Sequence, residues 1–261
     1  MREYFFPVGC ALCETTLFDA HETWYGICEP CHRELLGDIA WMDRAVDREE
    51  SSETAQGETR CELCGKPMVS GQGRCLSCRE GPERSYDRLV TIFSYSGNYK
   101  KLFSEYKFNK NLAIGHFFAE IIIKAYRHLC QSEKGLPCFL IPVPPRPGKI
   151  KKTGWDQVEY LSWLVKAGWG EPHRQDSGLN PNTGLTVYHC LKRLESKVQK
   201  ELSREDRLKN LKGRVTLCKE APPVAIIMDD VITTGSTLDV CSAALKSCGT
   251  QKVFGICLMY D

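Results

Sequence analysis

Four C-x-x-C pairs within the first 78 residues restrict this chain more than any other feature. They read Cys10-x2-Cys13, Cys28-x2-Cys31, Cys61-x2-Cys64 and Cys75-x2-Cys78, with 14, 29 and 10 residues between successive pairs. Each pair is a knuckle that brings two thiolates to one point, and two knuckles complete a tetrahedron of four sulfurs. Zn²⁺ accepts such a set at about 2.3 Å per bond without preferring another geometry. Gly65, directly after Cys64, tolerates the positive φ that turns backbone amides toward a sulfur. The spacing therefore predicts two closed, structural zinc sites on these eight cysteines, with no coordination position left to activate a water. Sequential pairing closes the shortest loops and is the preferred arrangement, with a cross-brace as the alternative. His21 and His32 are alternative ligands that the complete cysteine sets do not require.

The flanking Glu14, Glu29, Arg79 and Glu80 are too polar for these cysteines to be ordinary core residues. Apolar residues between the second and third pairs (Leu35, Leu36, Ile39, Trp41, Met42, Val46) suit a short helix, whereas 47–57 is rich in Asp, Glu, Arg and Ser and reads as a loop. A module this small and polar draws much of its folding free energy from metal.

The chain holds 15 cysteines in 261 residues, an odd number. No signal-peptide pattern opens it and no apolar run reaches the ~18–20 residues of a bilayer span, so no membrane insertion and a cytoplasmic location are expected. In a reducing compartment the thiols bind metal or fill space rather than pair. The seven unpaired cysteines (Cys130, Cys138, Cys190, Cys218, Cys241, Cys248, Cys257) read as core fillers or inert surface thiols. Cys241 and Cys248, seven apart, are expected on one buried helix face.

Charge divides the chain as the cysteines do. Up to Arg88 there are 10 basic and 17 acidic side chains, a net −7; from Leu89 onward there are 25 and 16, a net +9. Two domains are expected, 1–85 and 86–261. In the second, apolar strand-like runs at Leu89–Tyr95, Cys138–Val143, Pro223–Met228 and Lys252–Tyr260 alternate with helical patterns at Asn98–Phe108, Leu112–Leu129, Gln157–Trp169 and Ser236–Cys248. Val187–Leu194 reads as strand or loop. Uninterrupted apolar strands between helices imply an α/β fold, a mostly parallel sheet covered on both faces.

The segment Val224-Ala-Ile-Ile-Met-Asp229-Asp230-Val231-Ile-Thr233-Thr234-Gly235-Ser236-Thr237-Leu238 carries the chemistry. It is a buried strand, two carboxylates at its carboxyl end, and a hydroxyl-and-glycine loop opening onto a helix. Ligands bind outside the carboxyl ends of parallel strands. A helix amino terminus offers unpaired N–H groups and partial positive charge to a phosphate, and Gly235 lets the backbone approach it. The carboxylates suit ribose hydroxyls or Mg²⁺, a cation of hard oxygen ligands. One loop thus provides for both ends of a ribose 5-phosphate. No G-x-x-x-x-G-K-[ST] motif is present, which excludes a P-loop ATPase.

This segment resembles the phosphoribosyl-pyrophosphate (PRPP) signature of type I phosphoribosyltransferases. The whole chain resembles the ComF/GntX family, in which a double zinc ribbon precedes such a domain. The likeness includes Tyr106-Lys107-Phe108, Ile141-Pro142-Val143-Pro144-Pro145, Gly154-Trp155-Asp156-Gln157 and Gln199-x2-Leu202-Ser203-Arg204-x2-Arg207. It implies that Asp229 and Asp230 are the catalytic pair and hold the ribose hydroxyls. Val231 and Thr233–Thr237 (Thr233, Thr234, Gly235, Ser236, Thr237) then receive the 5-phosphate and Val143, Pro144 and Pro145 the pyrophosphate. Lys107 either contacts a phosphate or caps its loop. Lys192–Arg214, with nine basic and four acidic residues, would form a lid in which Lys192, Arg193, Gln199, Arg204 and Arg207 meet the polyanion. The family's Arg-Gly-Phe-Asn-Gln is Thr153-Gly154-Trp155-Asp156-Gln157 here, so one arginine is absent from that loop.

The activity so implied is Mg²⁺-dependent transfer of ribose 5-phosphate from PRPP to a nitrogenous acceptor, with release of pyrophosphate. The alternative is a non-catalytic module of competence and DNA uptake that senses PRPP and binds single-stranded DNA or a competence helicase. On that reading the basic second domain is the better DNA surface, since affinity for a phosphate backbone rests on cations.

Overall fold

The computed structural model describes residues 8–42, 59–69, 73–132, 138–168, 185–194 and 214–261. The amino-terminal part is built from short elements tied to the knuckles: α1 (Ala20–Tyr25), α2 (Glu29–Gly37), a 3-10 turn (Ala40–Met42), β1 (Thr59–Arg60), β2 (Pro67–Met68) and α3 (Leu76–Glu80). Asp19 caps α1 by accepting the Glu22 N–H at 2.7 Å. Cys28 and Cys75 occupy the N-cap positions of α2 and α3, so each of these helices starts directly on a knuckle residue. The short helix expected from Leu35 to Val46 is, as far as Met42, divided between the end of α2 and the 3-10 turn; Val46 and the expected loop at 47–57 lie outside the described residues.

From Arg88 the chain alternates. β3 (Arg88–Ser94), α4 (Gly97–Lys107), α5 (Ala113–Ser132), β4 (Cys138–Pro142), α6 (Lys149–Thr153) and α7 (Gln157–Lys166) come first. Then follow β5 (Thr186–Val187), β6 (Leu191–Arg193), β7 (Val215–Leu217), β8 (Val224–Ile232), α8 (Ser236–Ser247) and β9 (Lys252–Tyr260). Five strands form one sheet in the order β3-β9-β8-β4-β5, every pairing parallel. β6 and β7 form a separate antiparallel pair. The Val187–Leu194 stretch therefore serves twice, as an edge strand and as half of that pair.

Both faces of the sheet are covered, as parallel strands require. On β8, Val224, Ile226 and Met228 point to one side and Ala225 and Ile227 to the other. The first side is filled from α4, α5 and α7; Ile114, Phe117, Phe118, Ile121, Ile122 and Ala125 of α5 are fully buried there. The opposite side is filled by Leu238, Val240, Cys241 and Leu245 of α8. The two cysteine pairs of knuckles separate in the same way. Cys10, Tyr25, Cys28 and Ile39 join the α5 side, and Cys61, Leu63 and Cys64 join the α8 side.

Of the single cysteines, Cys190, Cys241 and Cys257 are fully buried, whereas Cys218 and Cys248 are exposed. Cys248 corrects the expectation of a shared buried face with Cys241. The helix ends at Ser247, and Cys248 turns out of it at φ −109°, ψ 16°. Seven-residue spacing predicts a common face only while the helical path continues. Among the described residues, no helix is long and apolar enough to cross a membrane.

Candidate functional site: two four-cysteine clusters and the Asp229–Thr237 loop

The cysteine sulfurs gather as two sets, Cys10, Cys13, Cys28, Cys31 and Cys61, Cys64, Cys75, Cys78, with the sulfurs of each set within 4.8 Å of one another. This is the sequential pairing. A tetrahedron with bonds of about 2.3 Å has sulfurs about 3.8 Å apart. Cys13 and Cys28 are separated by 3.5 Å and Cys64 and Cys75 by 3.8 Å, and each set could hold a zinc ion. Backbone amides support the thiolate form: Cys75 N–H and Cys64 N–H donate to Cys61 Sγ at 3.2 and 3.5 Å, and Leu12 N–H to Cys10 Sγ at 3.4 Å. Burial acts to raise the Cys61 thiol, but these amides overcome it and lower it to about 7. The Thr15 hydroxyl and amide lower Cys13 to about 6. His21 and His32 stand outside both sets; His32 is buried, stacked on Tyr25 with centroids 4.7 Å apart.

The second set is fastened to the sheet. Gly65 has φ +70°, and a Cβ there would lie 2.5 Å from the Leu89 carbonyl oxygen of β3, so only glycine allows this approach. Leu89 N–H donates to the Leu63 carbonyl at 2.9 Å, and the Arg60 guanidinium donates to the Gly65 and Thr91 carbonyls, each at 2.8 Å.

At the carboxyl end of the sheet, β8 ends at Ile232 and the chain turns through Thr233–Gly235 into α8. Gly235 takes the N-cap position at φ +73°. Asp229, Val231 and residues 232–238 line a polar concavity of about 240 Å³, its open mouth included. Thr234 and Ser236 exchange a hydroxyl hydrogen bond at 2.7 Å, and Thr233 is exposed. Val143, Pro144 and Pro145 follow β4, the neighbour of β8, with Val143 N–H donating to the Met228 carbonyl at 2.9 Å.

The two carboxylates differ. Asp230 is 6% exposed; its Oδ2 accepts from Lys107 Nζ at 2.7 Å and Gln157 Nε2 at 2.5 Å, and its Oδ1 from Val231 N–H at 2.8 Å. Burial alone would raise its pKa, but the Lys107 charge and these donors hold it below the usual carboxylate value. Asp229 is half-buried on the concavity, and burial together with the Asp230 charge pushes it well above that value. Adjacent like charges in one site separate in this way.

Lys107, expected at a phosphate or as a loop cap, is bound to Asp230. Lys149, expected with Arg146, Lys151 and Lys152 in a basic cluster toward a polyanion, and Asp156 and Gln157, for which no role was expected, complete the site's polar network. Lys149 Nζ donates to Asp156 at 2.6 Å and to Gln157 Oε1 at 2.5 Å, and Asp156 caps α7 by accepting from Val158 and Glu159 N–H. The Gly154-Trp155-Asp156-Gln157 run was the signal that could have found them. Lys192 and Arg193 lie on β6, where the Arg146, Arg214 and Asp229 charges act on Arg193. Gln199, Arg204 and Arg207, with most of the expected lid, lie outside the described residues.

No family model matches the chain. Competence protein F of Haemophilus influenzae is 26% identical over 254 residues, 95% of each chain. Competence protein ComFC of Streptococcus pneumoniae is 24% identical over 76% of this chain and 79% of its own. DNA utilization protein YhgH of Escherichia coli strain K12 is 26% identical over 97% of this chain and 96% of its own. Among solved structures, a hypoxanthine phosphoribosyltransferase from Staphylococcus aureus is matched over 56% of this chain and 65% of that one, at 14% identity and a TM-score of 0.30. The chain is thus similar, nearly end to end, to proteins named for competence and DNA utilization, and it carries two four-cysteine clusters ahead of a parallel sheet.

Proposed function

We propose that the chain binds PRPP at the Asp229–Thr237 loop and transfers its ribose 5-phosphate to a nitrogenous acceptor, releasing pyrophosphate. In this reading residues 1–85 are a zinc-supported module and residues 86–261 the phosphoribosyltransferase-like domain. The observation that carries it is the concavity at the end of β8, where a carboxylate, four hydroxyl side chains and the amino terminus of α8 meet. The amides and hydroxyls of Thr233–Thr237 hold the terminal phosphate. Asp230, fixed by Lys107 and Gln157, and Asp229 hold the ribose hydroxyls. Asp229, half-exposed on the concavity, supplies the hard oxygen that suits Mg²⁺, which when bound neutralises charge on the departing pyrophosphate. The residues of the chain position the anomeric carbon and stabilise developing charge.

A second reading is favoured by the charges gathered on Arg193 from Arg146 and Arg214 and by the names of the relatives. There the same fold is a non-catalytic module for single-stranded DNA or a helicase in competence. Pyrophosphate release from PRPP, measured against a panel of nitrogenous bases, separates the two. Release with one acceptor supports transfer; no release with any base, beside salt-sensitive DNA binding, supports the module.

A further inference from the structure

Two lysines close to the carboxylates are already committed. Lys107 is bound to Asp230, and Lys149 to Asp156 and Gln157. The loop Thr233–Thr237 contains none of its own. Partial helix charge of about half an elementary unit does not by itself match a phosphate monoester dianion. A positive side chain is nevertheless brought to this loop from outside the sheet domain.

The chain leaving α3, directly after the last cysteine knuckle, runs past the amino terminus of α8. Ser85 N–H donates to Asp239 Oδ1 in the first turn of that twelve-residue helix, at 2.7 Å. On either side of Ser85 two side chains reach Gly235. The position a Gly235 Cβ would take is 3.2 Å from the Tyr86 hydroxyl and 3.9 Å from Arg84 Nη1. Tyr86 is only 4% exposed, and its hydroxyl has no hydrogen-bond partner among the described residues. No carboxylate pairs with Arg84 among them either. The hydroxyl is not one of the fully enclosed unpartnered atoms, so it reaches solvent and is available to donate. Two unused donors, one of them charged, thus converge on the residue that opens the helix.

We propose that Arg84 is the cation of the terminal-phosphate site, with Tyr86 donating beside it, so that the segment following the second cysteine cluster completes the site on the sheet. This rests on the PRPP reading of the loop. It also gives the amino-terminal module a chemical part in ligand binding: Tyr86 is buried in one cluster with Cys61, Leu63 and Cys64, and that packing fixes where the segment emerges.

The test is calorimetry on the full zinc-loaded chain with PRPP plus Mg²⁺, with ribose 5-phosphate, and with inorganic pyrophosphate. Arg84→Gln is expected to bind PRPP and ribose 5-phosphate at least about tenfold more weakly, the scale of one charge-assisted contact. Arg84→Lys should recover part of that loss, and pyrophosphate affinity should stay unchanged. A merely structural role would weaken all three probes together and would not respond to lysine. Native-like affinity for ribose 5-phosphate in Arg84→Gln, or an equal loss for pyrophosphate, overturns the assignment of Arg84 alone. Failure of the unaltered chain to bind any of the three overturns the PRPP reading, and this inference with it.

Discussion

Lys107 at the end of α4 and Asp230 near the end of β8, 123 residues apart in sequence, meet at 2.7 Å between Nζ and Oδ2. The pair ties a helix on one face of the sheet to the strand that carries the loop. It also holds Asp230 below the usual carboxylate range, while burial and the Asp230 charge push Asp229 above it.

Removing the lysine leaves a buried carboxylate without its cation. Lys107→Met should cost about 1–3 kcal/mol, less than the ~3–5 of a fully buried pair because the lysine is partly exposed. The pH dependence has a definite sign. Asp230 is held below its ordinary pKa, so its contribution is present above that ordinary value and lost as pH falls through the folded one. Asp229, held above, works the other way: the folded state takes its proton first, and stability withheld at neutral pH returns on acidification. Urea unfolding across the acid range should show Lys107→Met losing the Asp230 contribution, and Asp229→Asn more stable than the unaltered chain near neutrality. An Asp229→Asn chain less stable at neutral pH would contradict this assignment of charge.

The cysteine clusters lie on opposite sides of the sheet, so their losses should be separable. Native mass spectrometry should count two zinc ions per chain, one in Cys10→Ser and one in Cys61→Ser. Chelation should lower the Tm of both variants further, because structural zinc supplies folding free energy. Loss of the second cluster should also expose amides of β3 to hydrogen exchange, since Leu63, Cys64 and Gly65 are bonded to Leu89, Thr91 and Arg60. Equal protection of β3 in the two variants would contradict this attachment.

Gly235 sits at φ +73° with the Tyr86 hydroxyl 3.2 Å from where a Cβ would be. Gly235→Ala should cost about 1–2 kcal/mol from the left-handed backbone alone. It should weaken ribose 5-phosphate binding by more than it lowers Tm, because the loop shifts while the sheet does not. Unchanged stability in thermal unfolding would show that the turn is not as constrained as its geometry requires.

Much of this was legible in the sequence. Knuckle spacing sufficed for the sulfur sets because two short loops can close on a metal wherever the rest of the chain goes. The buried face of α5 followed from helical periodicity, and the position of the Asp229–Thr237 loop from an apolar strand followed by acids and glycine. Partnerships across the fold were not legible. Nothing near Lys107 in sequence names Asp230 as its partner, since only the register of α4 against β8 brings them together. The same holds for Gln157, and for Arg84, which the charge split assigned to the other half of the chain. Cys248 failed for a local reason, a helix that stops one residue earlier than its pattern.

The most direct test of the central claim is a PRPP titration, with Mg²⁺, of the full zinc-loaded chain against the Asp229→Asn, Asp230→Asn double variant. Saturable heat from the unaltered chain and none from a double variant that still unfolds cooperatively is the predicted result. Equal binding by both would place the sugar phosphate somewhere other than the end of β8 and would contradict the account.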